Sequence, residues 1–125
     1  NVPETNTSKI ISVISRQAPY GSNRAHQSLD IALAAAVFEQ TVNYIFIGDG
    51  VYQLLGNQNA TSIQSKTLVN ALETLDLYGI EGVYVDSQSL TERNLKPNDL
   101  SLATNIVSRD EIAKIVRSSN SVFNL

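Results

Sequence analysis

Hydrophobic positions along the chain follow two rhythms in alternation. At 9–15, Lys-Ile-Ile-Ser-Val-Ile-Ser is β-branched and apolar on both faces, as in a strand covered on both sides by helices. Pro19 and Gly21 then punctuate a loop at 16–22, and Ser22 stands where a helix N-cap is expected. Leu29, Ala32, Leu33, Ala36 and Val37 recur at helical spacing, with alanines that allow close approach to a sheet. A second strand is predicted at 43–47, stopped by Gly48-Asp49-Gly50, with a short helical turn at 51–55 and a polar stretch at 56–62. Leu68, Ala71, Leu72 and Leu75 carry another helical stripe, which Gly79 closes from beyond its C-cap.

The pattern then repeats. Residues 82–86 form a third predicted strand, and 87–93 one or two helical turns with Ser89 and Glu92 in capping-box spacing. A fourth strand is expected within 100–107. Ser108 and Glu111 make a second capping-box pattern, and Ile112, Ile115 and Val116 give its helix a buried edge. Asp110 and Glu111 at the start, with Lys114 and Arg117 towards the end, complement the helix dipole. Residues 121–125 are read as a last short strand. Strands alternating with helices imply an α/β three-layer sandwich, with helices on both faces of a mainly parallel sheet of about five strands. Residues 1–8 read as a flexible N-terminal segment, and 9–125 as one domain.

Composition narrows the chemistry. Of 125 residues, 42% are hydrophobic, enough for a real core. Nine basic against twelve acidic side chains leave a net charge of −3, which gives no electrostatic reason to expect direct nucleic-acid binding. The apolar run at 31–38 falls far short of the roughly 18 residues of a membrane span. No targeting pattern precedes it, so a cytoplasmic protein is expected. Cysteine is absent, which excludes disulfides, thiolate metal sites and thiol chemistry on this chain.

The remaining candidates each carry two readings. His26, the single histidine, is either a general acid or base near a strand-to-helix loop or an ordinary surface or interface histidine on a helix; no second histidine is present to pair with it on a metal. The loop at 18–22 opens a helix and could hold a phosphate on free N–H groups, yet it matches neither stricter phosphate-binding pattern. Asp49 and Asp86 end successive strands at the edge where parallel sheets bind ligands. They could form an acid/base pair or a cation site, though capping is the simpler role for each. Ser15, Ser22 and Ser87 sit in no nucleophile elbow. A phosphoacceptor response regulator would need carboxylates after the first strand, where Ser15, Arg16 and Gln17 stand instead.

Three stretches in order resemble the TusC, or DsrF-like, branch of the DsrE/DsrF sulfur-relay family. They are Ser15-Arg16-Gln17-Ala18-Pro19-Tyr20-Gly21-Ser22, then Phe46-Ile47-Gly48-Asp49-Gly50-Val51-Tyr52-Gln53-Leu54-Leu55, and then Leu75-Asp76-Leu77-Tyr78-Gly79-Ile80-Glu81 leading through Val85-Asp86-Ser87 to Leu95. The resemblance implies a DsrE-like fold and a heterohexamer, a dimer of heterotrimers with TusB-like and TusD-like subunits. Such a complex takes persulfide sulfur from a TusA-like donor to a TusE-like acceptor, for 2-thiolation of the tRNA wobble uridine. The position matching the family's relay cysteine is Asp86. A carboxylate does not carry sulfane sulfur, so the expectation is a non-catalytic subunit with no cofactor. Tyr20, Tyr52, Leu54 and Tyr78 are candidate interface residues. Two alternatives stay open: a DsrF-like subunit of a sulfur-oxidation complex, and a small α/β domain that binds a nucleotide or flavin at loop 18–22 and Gly48–Gly50.

Overall fold

A computed structural model describes residues 9–18, 23–55, 72, 74–80, 82–100 and 104–125. The first β-branched run becomes β1 (Ile10–Ser15), and the alanine-rich stripe becomes α1 (Arg24–Val37). The chain returns as β2 (Thr41–Phe46), two residues earlier than the hydrophobic run alone indicates. Then come β3 (Gly82–Asp86), a short α2 (Ser87–Glu92), a three-residue β4 (Asn105–Val107), α3 (Arg109–Arg117) and β5 (Ser121–Asn124). The strands lie in the order β4-β3-β2-β1-β5, and every adjacent pair is parallel. The expected five-stranded α/β fold is therefore what the chain adopts.

Alternation along the strands sorts side chains to two cores. Val13, Val42, Tyr44, Phe46, Val83 and Val85 face Ala25, Leu29 and Ala32 of α1 together with Leu72, Leu75 and Leu90. Ile14, Ile45, Tyr84 and Val107 face Ile112, Ile115 and Val116 of α3. Helices thus cover both faces. Ala25 and Ala32 are fully buried, which is the close approach their small side chains allow. Val37, expected in the buried stripe, ends its helix and is exposed.

Several local boundaries differ from the sequence expectations. Asn23, not Ser22, takes the N-cap position of α1, and its side chain makes no capping bond; Ser22 lies outside the described residues. The turn expected at 51–55 is a longer 3₁₀ helix, Gly48–Leu54, followed by an antiparallel bridge between Leu55 and Leu100. Ser89 is not a cap: Asp86 occupies that place, and Ser89 is the third helical residue. A carboxylate directly ahead of the helix outcompetes the serine three residues in. The box at Ser108 and Glu111 forms as expected, with both reciprocal bonds. Gly79 has φ +80°, the left-handed conformation its predicted place requires, after a 3₁₀ turn at Leu75–Tyr78. The segment 1–8 and the start of the stripe at Leu68 and Ala71 lie outside the described residues.

Candidate functional site

Because all five strands run the same way, their C-terminal ends share one edge of the sheet. Ser15, Gly48–Gly50, Asp86 and Arg109 are gathered there. Asp86, fully buried, is the last residue of β3. Its Oδ2 accepts three hydrogen bonds: from the Ser89 N–H at 3.0 Å, the Ser89 hydroxyl at 2.5 Å and Arg109 Nε at 2.8 Å. Its Oδ1 is buried without a partner among the described residues. The Ser89 hydroxyl also accepts the Gly48 N–H at 2.9 Å. One carboxylate therefore ties β3, α2 and α3 together and, through Ser89, the turn after β2. Capping is the role it performs, and Arg109 supplies the counter-charge that a buried carboxylate requires.

Asp49 does something different. It lies exposed in the first turn of the 3₁₀ helix and pairs with Arg93, whose Nη2 and Nε donate to Oδ1 at 3.0 and 3.2 Å. Arg93 also donates to the Ser89 carbonyl and lies 6.0 Å from the centre of the half-buried Tyr52 ring. Asp49 and Asp86 are thus each engaged by a separate arginine, and they form neither a cation site nor an acid/base pair. Among the described residues no group of His, Asp and Glu is arranged to hold a metal.

The nominated serines are structural where described. Ser15 Oγ accepts from Gln53 Nε2 at 2.6 Å and lies 3.0 Å from Ser28 Oγ, which is 2.9 Å from Tyr44 Oη. Gln53 Nε2 also donates to the Gln17 carbonyl at 2.8 Å. This buried chain pins the end of β1 beneath the start of α1. Burial pushes the Tyr44 phenol above its ordinary range, against an opposing Ser28 hydrogen bond. Ser87 opens α2, its carbonyl accepting from Thr91. His26 is half-buried on the first turn of α1 and is not drawn into the edge cluster. Gly48 N–H, one donor that the nucleotide reading needs, is already taken by Ser89, and of loop 18–22 only Ala18 is described.

Of the interface candidates, Tyr78 is 49% exposed and Tyr52 half-buried, while Tyr20 lies outside the described residues. Leu54 has no exposed surface and belongs to the core, so it is withdrawn as an interface candidate. The sequence reading took Ser89 for a cap and missed the roles of Gln53, Arg93 and Arg109. Arg109 did leave a signal: a cation at the first position of a helix opposes the dipole and needs a local reason.

Fold and site together define a parallel α/β sandwich whose strand-end edge is closed by a buried carboxylate and carries no sulfur. The chain belongs to the DsrE/DsrF-like family, which matches over residues 9–125. Among relatives, it is 33% identical to the Protein TusC homolog of Pseudomonas aeruginosa over 118 residues, covering 94% of this chain and 99% of that one. It is 39% identical over 87 residues to the Intracellular sulfur oxidation protein DsrF of Allochromatium vinosum, covering 70% and 64%. The crystal structure of the E. coli YchN protein superposes with a TM-score of 0.76 over 95% of this chain and all of that one, at 20% identity, a likeness of fold.

Proposed function

We propose that this chain is a non-catalytic subunit of a TusB–TusC–TusD-like sulfur-relay complex. One pairing carries the reading: near end-to-end similarity to a TusC homolog in a chain of 125 residues without a cysteine. In a relay step, an acceptor thiolate attacks the terminal sulfur of a donor persulfide, the S–S bond breaks, and the donor leaves as a thiolate. Both groups must be sulfur. Asp86 meets neither requirement, and its bonds commit it to holding four elements together. The persulfide therefore travels on a TusD-like partner, between a TusA-like donor and a TusE-like acceptor, and ends as 2-thiouridine at the tRNA wobble position in the cytoplasm. This subunit shapes and stabilises the assembly around that partner's cysteine.

The test is co-expression with the TusB-like and TusD-like chains of the same organism. Intact-complex mass measurement is expected to give a heterohexamer, two copies of each chain. Persulfide trapping is expected to label the TusD-like chain alone. Deleting the gene should remove 2-thiouridine from tRNA, and this chain should restore it. Sulfur bound covalently to this chain, or no association with either partner, defeats the proposal. The DsrF relative favours a second destination: an intact complex whose loss leaves 2-thiouridine unchanged but blocks sulfur oxidation assigns the chain to that type.

A further inference from the structure

Arg109 is held in a way that leaves its recognition surface unused. Nε is bound to the buried Asp86, and among the described residues that is the one hydrogen bond or ion pair its side chain makes. Both terminal amino groups therefore stand without a partner on a side chain that is 54% exposed. A guanidinium fixed through Nε presents a planar, pre-oriented fork, the geometry that matches a carboxylate bidentately. The residue also sits against the dipole of α3, a placement that its local pairing with Asp86 offsets.

We infer that Arg109 is a docking cation for a carboxylate on a partner subunit. Asp110 and Glu111 follow it directly, which disfavours a polyanion such as an RNA backbone and tolerates a single carboxylate. An exposed ion pair alone is worth at most about 1 kcal/mol, too little to hold a free small acid, so the carboxylate must arrive on a larger surface that covers the pair, shuts out water and strengthens it beyond that figure. This rests on the assembly role proposed above.

The test measures binding of the purified chain to its TusB-like and TusD-like partners at low and high salt. Arg109→Lys keeps a cation for Asp86 but loses the fork; a roughly tenfold weaker affinity with an unchanged melting temperature is expected. Arg109→Gln is expected to bind weaker still and with a shallower salt dependence, since a charge is gone. Should Arg109→Gln fail to fold, Arg109→Lys decides alone. Partner binding by both variants within about twofold of the unaltered chain overturns the docking role and leaves the assembly role standing. Failure of the unaltered chain to bind its partners overturns both. Loss of binding to a short RNA, or of self-association, in place of partner binding also overturns it.

Discussion

At the level of single residues, two glycines separate steric crowding from backbone strain. A Cβ at Gly50 would lie 2.0 Å from the Ser15 carbonyl oxygen, so the turn after β2 can press on the end of β1 only without a side chain. Gly50→Ala is expected to cost about 2–4 kcal/mol in urea unfolding, because backbone has to move. At Gly79 no atom of the described residues lies within 4 Å of an added Cβ, and its φ of +80° is what resists substitution. Gly79→Ala should cost about 1 kcal/mol, the left-handed penalty alone. Tyr44 gives a pH dependence. Its phenol is buried and its folded pKa raised, so its contribution is complete below the unfolded value of about 10 and is lost as pH rises beyond it. Stability should fall by up to about 1.4 kcal/mol per pH unit in that range from this group. Tyr44→Phe, compared by urea midpoints at neutral and alkaline pH, should flatten that slope.

Among elements, the Asp86 junction makes an asymmetric prediction. Asp86→Ala removes a cap, and Arg109 relaxes into solvent; the loss expected is about 1–2 kcal/mol. Arg109→Ala instead strands a buried carboxylate on Ser89 alone, and about 2–3 kcal/mol is expected, short of a fully buried pair because the arginine is half exposed. Thermal melts of the two variants should rank in that order. The reverse order would mean that Arg109 contributes little to holding Asp86. The same junction shows what sequence patterning conveys. β1, α1, β3, α3 and β5 were legible because each has a strong period or a local cap, as at Ser108 and Glu111. Local spacing made Ser89 look like a cap, since pattern reading does not weigh a carboxylate three residues upstream against it. Asp86 with Arg109, and Asp49 with Arg93, were invisible because those partners lie 23 and 44 residues apart and meet only through the sheet order.

Across the whole molecule, apolar side chains remain outside both cores. Leu77 and Phe38 are 83% and 75% exposed, and an apolar groove of about 400 Å³ runs between α1 and β5, lined by Ile31, Ala35, Phe38 and Phe123. A chain with such a surface is expected to associate with itself or bind a hydrophobic dye when made alone, and to do neither when co-expressed with its partners. Light scattering with and without those partners checks this. The sheet order carries one more consequence. β5 closes against β1, so that the Ile10 N–H reaches an Asn120 acceptor 110 residues later in sequence. A ribosome delivers the chain from its start, and β1 emerges long before the strand that will flank it. From the synthesis of β1 until that of β5, one side of β1 stays open, a ready template for any passing strand. Until Ser121–Asn124 leaves the exit tunnel, the nascent protein depends on a chaperone or an early partner to keep that side unoccupied.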